Sequence, residues 1–296
     1  MDISVIIATY NRKDSLKETL DALSRQNFCH LSYEVIVIND GSTDGTVELL
    51  EEYSVFGTIG LRFFNQQNQG PAAARNLGIE YAKGRIVAFT DDDCIPSQNW
   101  LCTIDAQFKN SNIVGLQGST FTDKDKITPL THQIDNTQGN KSVPTCNAAY
   151  LKSALDAIDG FDTEFPFPHN EDADLAWRIQ KTGEIGFCAD MLVYHPPRMD
   201  TFTKVSKRMK IMESEFRLFY KDPESYRKNR GTSPWQIIYW EVMVKTQWYY
   251  FKTRFKYLKR PKLMFQGLAL TFIWWWDLIR FYPKFWNANK VHKKMF

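Results

Sequence analysis

Apolar and polar positions alternate in blocks along the first part of the chain, and these blocks predict strands separated by amphipathic helices. The predicted strands cover residues 3–8, 34–38, 61–65 and 86–90, and the predicted helices cover residues 14–27 (starting at Asp14 or Ser15), 43–53, 71–82 and 171–181. Strands that alternate with helices of this length predict an α/β fold, with a mainly parallel sheet and helices on both faces.

Three of the predicted strands end in polar sequences, namely Thr9–Arg12, Asn39–Ser42 and Asp91–Asp93. In open α/β sheets, ligands bind outside the carboxyl ends of the strands. Three adjacent aspartates repel one another, and a divalent cation relieves that repulsion because hard cations take oxygen ligands. The sequence therefore predicts a site for a metal and a phosphorylated ligand at this edge. A solvated acidic turn is the alternative for the three aspartates.

Two common nucleotide-binding motifs are absent from the sequence. No Gly-x-Gly-x-x-Gly fingerprint follows the first strand, which argues against a dinucleotide-binding domain. No phosphate loop ending in Gly-Lys-Ser/Thr occurs either. The sequence therefore argues against both of these nucleotide-binding folds.

Five segments, in this order, resemble the family-2 glycosyltransferases: Val5–Arg12, Val37–Ser42, Gly70–Asn76, Asp91–Asp93 and Asn170–Asp172. The resemblance spans roughly residues 3–197. It implies a GT-A catalytic domain over residues 1–197, with the nucleotide-diphospho-sugar transferase fold. It also implies inverting transfer of a sugar from a nucleotide diphosphate donor, with a UDP-sugar expected first, to a hydroxyl of a glycan or lipid-linked acceptor.

The resemblance assigns donor-binding roles to five residues near the ends of the predicted strands. Asp40 is expected to contact the nucleoside, and Thr9 and Asn11 are expected to frame the base. Arg75 and Asn76, in the helix after the third strand, are expected to face the nucleotide. The alternatives are a turn-forming aspartate for Asp40 and a surface cation for Arg75.

The resemblance also assigns the metal site, with Mn²⁺ or Mg²⁺ as the expected ion. Asp91 would face the ribose or the metal, Asp93 would ligate the metal, and His195 would close the metal or diphosphate site. Asp92 is also expected in the donor-binding set, but in a secondary position. Alternate side chains of an extended segment point in opposite directions, so Asp92 would point away from Asp91 and Asp93. A structural role is the alternative for His195.

The resemblance also places the candidate catalytic base at Asp172. Inverting transfer needs one carboxylate that removes the proton of the acceptor hydroxyl. The start of a helix favours an ionised carboxylate, and Asp172 opens the helix predicted over residues 171–181. Glu171 is expected to orient the acceptor. The alternative is an ordinary acidic first helical turn.

Residues 198–296 differ in charge and composition from the rest of the chain. They hold 22 Lys and Arg against 7 Asp and Glu, whereas residues 1–197 hold 15 against 27. Basic residues interleaved with aromatic ones predict a helical extension on an anionic membrane surface. Its apolar run over 263–276 is too short and interrupted to span a bilayer. The alternative is a helical subdomain with solvated cations. No nucleic-acid module is visible, so nucleic acid is not an expected partner.

The cysteines and the N-terminus bear on location. The five cysteines are odd in number and form no Cys-x-x-Cys pair, so neither a disulfide framework nor a zinc site is expected. This pattern fits a reducing compartment. The first apolar run is typical of a strand rather than a signal peptide. These features predict a cytoplasmic protein, peripheral on the inner face of the cell membrane.

Two other classes of function remain open from the sequence. A sugar-1-phosphate nucleotidyltransferase shares a related fold, but it should carry a glycine-rich loop with Gly-Thr-Arg where this chain has Ala8–Arg12. An inactive sugar-nucleotide-binding or membrane scaffold protein is the second alternative. The presence of Asp40, Asp91, Asp93 and Asp172 together argues against a loss of activity.

Overall fold

The computed structural model describes residues 1–27, 29–57 and 59–296. The chain divides into two compact units. The first unit comprises Met1–Thr122, Ile134–Glu164 and Glu171–Pro196, and the second comprises Asp123–Gln133, Phe165–Asn170 and Pro197–Phe296. Two short segments from the first 197 residues therefore belong to the second unit.

The described part of the chain contains ten strands, and the sequence predicts the four that lie within residues 1–90. Their bounds are β1 Ile3–Thr9, β2 Tyr33–Asn39, β3 Leu61–Asn65, β4 Ile86–Thr90, β5 Ile95–Pro96, β6 Gly115–Phe121, β7 Thr131–His132, β8 Asn147–Leu151, β9 Ile185–Tyr194 and β10 Arg198–Met199. Strands β7 and β10 form an antiparallel pair in the second unit, and the others build the sheet of the first unit.

The helices of the first unit connect these strands. Their bounds are α1 Lys13–Ser24, α2 Thr46–Phe56, α3 Pro71–Tyr81, α4 Trp100–Asn110, α5 Lys152–Asp156 and α6 Glu171–Gln180. Two helix starts differ from the sequence prediction. Helix α1 begins at Lys13, whose amide donates to Oδ2 of Asp44 at 2.9 Å. Helix α2 begins only after Gly45, which is left-handed at φ 83°. A long-range contact and a glycine turn thus override the local capping signals.

The eight strands of the first unit form one mixed sheet in the order β3-β2-β1-β4-β8-β6-β9-β5. Strands β1, β2, β3 and β4 pair in parallel. Strand β8 runs antiparallel to both β4 and β6, and β9 runs parallel to β6. The mainly parallel α/β sheet predicted from the sequence is confirmed, with β8 and β5 as its two reversed strands.

Helices cover both faces of this sheet, as predicted. Ile3 and Val5 of β1 are fully buried in one cluster with Leu16 of α1. Ile6 points to the opposite face, because side chains alternate along a strand. There α3 lies so close that a β-carbon on Gly78 would come within 2.5 Å of Cγ2 of Ile6. Glycine at this position therefore permits the close approach of helix and sheet.

The expectation of no disulfide is wrong for one pair of cysteines. Cys29 and Cys102 form a disulfide, with Cα atoms 5.8 Å apart across a sequence separation of 73 residues. The fold brings the pair together, because the amide of Asn27 donates to the carbonyl of Gln98 just before α4. Disulfides persist in oxidising compartments, so the cysteines no longer support the predicted reducing location.

The second unit is helical, as the sequence predicts for the C-terminal extension. Its helices are α7 Phe202–Ser206, α8 Ser214–Lys221, α9 Pro223–Asn229, α10 Pro234–Gln236, α11 Gln247–Arg254, α12 Pro261–Arg280 and α13 Tyr282–Met295. A π-helix, Ile237–Thr246, joins α10 to α11, and 3₁₀ turns cover Lys124–Lys126, Arg208–Glu213 and Phe255–Tyr257.

The second unit has a hydrophobic core of its own. Phe216, Ile238, Leu270, Leu278 and Phe285 are each completely buried in one cluster. Long α12 contributes two of these side chains and begins at a proline, which suits the first turn of a helix. None of the helices in the described part of the chain combines the length and apolar composition needed to cross a bilayer.

Candidate active site

The carboxyl ends of parallel strands meet at one edge of the first unit's sheet. Strand β1 ends at Thr9, β2 ends beside Asp40, β4 runs directly into Asp91, and β9 ends beside His195. The register aligns Thr9 with Asn39, so the first two of these ends lie level with each other. The three polar sequences predicted to converge at this edge are therefore placed there together with His195.

Asp91 is held by an arginine that also reaches the first turn of α6. Nη2 of Arg75 lies 2.9 Å from Oδ1 of Asp91, and its Nη1 lies 3.4 Å from Oε1 of Glu171. Arg75 is buried, so the alternative of a surface cation does not describe it. The guanidinium links the end of β4 to the start of α6, and its contact with Glu171 spans a sequence separation of 96 residues.

Asp92 turns away from Asp91 and pairs with the loop after β1. Its Oδ1 accepts a hydrogen bond of 2.6 Å from Nη1 of Arg12. Burial raises the pKa of Asp92 to about 6, against the opposing charge of Arg12. Asp92 and Asp91 therefore have different partners, and a secondary role of Asp92 in donor binding stays a prediction.

Asp93 and His195 come together as the predicted metal set requires. Oδ1 of Asp93 lies 3.7 Å from Nε2 of His195, and both residues are buried. Nη1 of Arg12 lies 3.3 Å from the other carboxylate oxygen, Oδ2. A carboxylate oxygen beside an imidazole nitrogen is a donor set that suits Mn²⁺ and tolerates Mg²⁺. The residues present therefore fit a divalent cation at this position.

The third predicted metal residue, Asp91, falls in a neighbouring group. Donor atoms of Asp93, Cys94 and His195 lie within 4.8 Å of one another, and the same holds for Asp91, Cys94 and Cys146. Burial raises the pKa of the Cys94 thiol. Hard cations prefer oxygen ligands and thiols are soft ligands, so the carboxylate and imidazole donors are the ones suited to Mn²⁺ or Mg²⁺.

Asp172 lies in the first turn of α6, at the helix end where the dipole favours negative charge. It is half-buried, and its Oδ1 accepts from the amide of Ala173 at 2.8 Å. Its charge acts on Arg75 and on the buried hydroxyl of Tyr150. The candidate base therefore belongs to the same group of charges as Asp91, through Arg75.

Asp40 organises the loop between β3 and α3. Its Oδ1 accepts from the amide of Gln69 at 2.8 Å and from Nε2 of Gln66 at 2.7 Å, and its Oδ2 accepts from the amide of Gly70 at 2.9 Å. Gly41 follows at φ 83°, a conformation that favours glycine. Asp40 thus shapes the loop that leads into α3 and Arg75.

The other predicted donor-binding residues differ in their surroundings. Asn11, at φ 52°, is exposed, and its side-chain oxygen accepts from the amide of Thr43 at 2.7 Å. Thr9 is buried beside Asp92. The contacts of Asn76 are made elsewhere. Its amide group exchanges two hydrogen bonds, of 2.8 and 2.7 Å, with the backbone of Phe161. A nucleotide-facing role for Asn76 stays a prediction.

Two residues of the site have no role in the sequence analysis. Arg12 lies in one of the family-like segments, and a lone cation in a loop at an acidic edge is a signal that could have found it. Tyr150 lies inside β8 with no sequence signal. Its hydroxyl has no hydrogen-bond partner among the described residues, and burial followed by the charge of Asp172 raises its pKa.

Comparison with known proteins identifies the class of this chain. The model of the family described as glycosyl transferase family 2 matches residues 4–188, and the chain belongs to that family. Glycosyltransferase AglE of Haloferax volcanii is 27% identical over 246 residues, which cover 80% of each chain. The uncharacterized glycosyltransferase YibD of Escherichia coli is 43% identical over 91 residues, which cover 31% of this chain and 26% of YibD.

Solved structures of glycosyltransferases share the fold over nearly the whole chain. Staphylococcus aureus TarS 1-349, solved in complex with UDP-GlcNAc, has a TM-score of 0.60 at 16% identity, covering 96% of this chain and 92% of TarS. Mannosyltransferase PcManGT from Pyrobaculum calidifontis, solved with GDP-Man and Mn²⁺, has a TM-score of 0.61 at 17% identity, covering 98% of this chain and 84% of PcManGT. The predicted GT-A fold is therefore confirmed.

Family membership supports the class expected from the resemblance. The chain is a glycosyltransferase enzyme, as predicted, rather than a nucleotidyltransferase. The match covers four-fifths of the length of AglE but only about a quarter of the length of YibD. Substrates and partners of the whole protein are taken up as proposals below.

Proposed function

We propose that this protein is a metal-dependent inverting glycosyltransferase that moves a sugar from a nucleotide diphosphate donor, a UDP-sugar first, to a hydroxyl of a glycan or lipid-linked acceptor. The observation that carries the proposal is the pairing of Asp93 with His195 at 3.7 Å, at the edge where Arg75 joins Asp91 to the first turn of α6. Structural neighbours solved with UDP-GlcNAc and with GDP-Man and Mn²⁺ support a nucleotide-sugar donor.

Asp93 and His195 would hold the cation, which is Mn²⁺ or Mg²⁺. When bound, such a cation neutralises charge that develops on the leaving diphosphate. Arg12 sits against Asp92 and Asp93 and balances the carboxylates from the protein side. Asp91, held by Arg75, faces the ribose or the metal in this proposal.

The remaining donor-binding residues take the roles predicted from the sequence. Asp40 holds the loop of residues 66–70 by three hydrogen bonds and presents its carboxylate to the nucleoside. Thr9 and Asn11 border the base position. Asp92 supports the site from its buried pair with Arg12. Asn76 has the weakest support, because its amide is engaged with Phe161.

Asp172 is the proposed base. It takes the proton of the acceptor hydroxyl while that hydroxyl attacks the anomeric carbon, and one base opposite the leaving group gives inversion. Arg75 and the helix start both favour the ionised carboxylate. Glu171, held by Arg75 on the same turn, is placed to orient the acceptor.

Removing the carboxylate of Asp93 should abolish metal-dependent donor binding. Wild-type protein should gain thermal stability from a UDP-sugar only when Mn²⁺ is present, because ligands of the native state raise the melting temperature. Asp93→Ala should weaken Mn²⁺ binding more than about 100-fold, beyond the 10–100-fold typical of outer-shell changes. Calorimetric titration with Mn²⁺ measures the affinity directly. The control is Asp14→Ala, which replaces an exposed aspartate of α1. Equal Mn²⁺ affinity in the wild type and both variants would contradict the proposal.

We further propose that the second unit binds an anionic membrane surface. Its residues 198–296 carry 22 basic against 7 acidic side chains. Four large apolar side chains of α12 are 53–63% exposed, namely Phe265, Phe272, Trp276 and Ile279. Spacings of seven, four and three residues place them on one face of the helix. An exposed apolar face among basic residues is typical of a helix that lies in an anionic interface. An inner-face, cytoplasmic location is part of this proposal.

Replacing two residues of that exposed face should weaken membrane binding. Phe272→Ser combined with Trp276→Ser should reduce partitioning onto phosphatidylglycerol vesicles at least roughly tenfold, because each aromatic side chain transfers apolar area out of water. Cosedimentation with vesicles measures the change. Val55→Ser with Phe56→Ser is the matched control, since these side chains of α2 are 70% and 82% exposed but belong to the first unit. Equal losses in both double variants would refute the assignment to α12.

A further inference from the structure

The second unit contains a basic pocket beside a patch of exposed aromatic rings. The pocket has a volume of about 400 Å³ and is lined by Lys124, Lys256, Lys259 and Arg260, with Asp125 as the one carboxylate among its lining residues. Four cations against one anion give the pocket a strong positive charge. Such a charge distribution suits a ligand with at least one phosphate group.

The pocket has a fixed floor rather than being a gap between mobile side chains. Tyr257 is buried between the exposed cations, and its hydroxyl donates to the carbonyl of Ile127 at 2.9 Å. This bond joins the two segments that supply the basic residues. Nζ of Lys256 lies 5.0 Å from the centre of the Tyr257 ring, which restrains that cation as well.

The basic residues on the C-terminal side are available to a ligand. Lys256, Lys259 and Arg260 are exposed. Within the described residues, none of these three forms an ion pair with a carboxylate, whereas Lys245 nearby in sequence pairs with Glu241 at 2.8 Å. Cations that are not neutralised by the protein retain their full attraction for an anion.

The exposed rings next to the pocket form a continuous surface around Phe251, here called the aromatic patch. The ring of Phe251 lies 5.6 Å from Trp248, 5.6 Å from Phe255 and 6.1 Å from Phe272. The side chains of Trp248, Phe255 and Phe272 are 44–56% exposed. Phe255 directly precedes Lys256 in the chain, so the patch and the pocket lining share neighbouring residues. An apolar surface beside a phosphate-sized basic pocket matches the two ends of a phospholipid.

We propose that this pocket binds the phosphate of an anionic phospholipid headgroup while the aromatic patch enters the acyl region of the same membrane. The proposal rests on the membrane surface binding proposed above and names a discrete site within it. The pocket thereby sets which part of the second unit faces the bilayer. A diffuse attraction of all basic residues for the surface would not single out this site.

The test compares two double variants that remove the same charge. Lys259→Gln with Arg260→Gln empties the pocket of two cations, and Lys207→Gln with Lys210→Gln removes two exposed lysines elsewhere in the second unit. On vesicles of phosphatidylcholine and phosphatidylglycerol, the pocket variant should bind roughly 30-fold more weakly than wild type. The control should lose only a few-fold. Equal losses would mean a diffuse attraction and would overturn the pocket assignment.

A second arm separates a lipid headgroup from free phosphate. Inorganic phosphate alone, followed by thermal shift, should stabilise the wild type weakly and should not displace it from vesicles at millimolar concentration. Displacement at that concentration, or tight binding of inorganic phosphate without vesicle binding, would overturn the lipid assignment. Donor binding with Mn²⁺, measured on the same preparations, should be equal in wild type and both variants. Its failure in the wild type would count against the proposed transferase mechanism and leave the pocket test intact.

Discussion

Asp172→Asn should bind the donor with unchanged affinity and transfer sugar roughly 10²–10⁴-fold more slowly, the range that a positioned general base contributes. The change keeps the shape of the side chain and removes its capacity to accept a proton at neutral pH. Donor binding should persist because Arg75 keeps its ion pairs with Asp91 and Glu171 in this variant. Single-turnover transfer and donor binding by calorimetry separate the two effects.

Two further variants make this result specific to the base. Asp172→Glu keeps a carboxylate on a longer side chain and should recover part of the transfer rate. Asp156→Asn removes an exposed carboxylate from α5 and should transfer at the wild-type rate. Wild-type transfer by Asp172→Asn would exclude Asp172 as the base, and loss of donor binding in that variant would point to a structural role instead.

Glu215→Ala should lower the free energy of unfolding of the second unit by about 3–5 kcal/mol, since removing one partner of a buried ion pair leaves the other charge uncompensated. Glu215 is completely buried. Its carboxylate accepts from Arg230 at 2.6 Å, from Tyr226 at 2.7 Å and from Asn170 at 3.0 Å. Tryptophan fluorescence in urea reports on this unit, because residues 198–296 hold seven of the nine tryptophans.

An exposed pair in the same unit supplies the control for this prediction. Glu241 pairs with Lys245 at 2.8 Å, but both side chains are more than a third exposed. Glu241→Ala should therefore cost less than about 1 kcal/mol, as surface ion pairs do. Equal costs for the two variants would show that the buried network around Glu215 adds nothing beyond a surface pair.

The same network should make the stability of the second unit depend on pH in acid. Burial by itself raises the pKa of Glu215, but contact with His169 and the charge and hydrogen bond of Arg230 outweigh burial and leave this pKa well below its ordinary value. A lowered carboxyl pKa contributes stability that is fully present above the unfolded-state pKa, about 4.3 for glutamate. That contribution declines as the pH falls below this value. Glu215→Gln should therefore remove this part of the acid dependence of unfolding.

Much of the first unit is predictable because its signals are local. Buried parallel strands are continuous apolar runs, so the bounds of β4 and α3 follow from the sequence to within a residue. Polar residues that follow such strands converge at one edge by the topology of parallel sheets. For this reason the sequence alone predicts that Asp40, Asp91 and Asp93 share a common edge.

The partners of those carboxylates depend on contacts between distant parts of the chain. Arg12 reaches Asp92 across 80 residues, and Arg75 reaches Glu171 across 96. Neither distance leaves a trace in local periodicity. Three adjacent aspartates therefore have three different environments, and the cations that create those environments follow from the tertiary fold.

The sequence by itself determined the first four strands, the acidic edge and the basic aromatic extension, because these depend on residue type and short-range spacing, and its family-like segments indicated the class of this protein. Only the tertiary structure decided which cation holds each aspartate, that Cys29 bonds to Cys102, and that Glu215 is buried with Arg230. It also decided that basic residues from two separate segments share one pocket. The reason is physical: a buried charge or a covalent pair is defined by what the folded chain brings within a few ångströms, and sequence separation does not encode that distance.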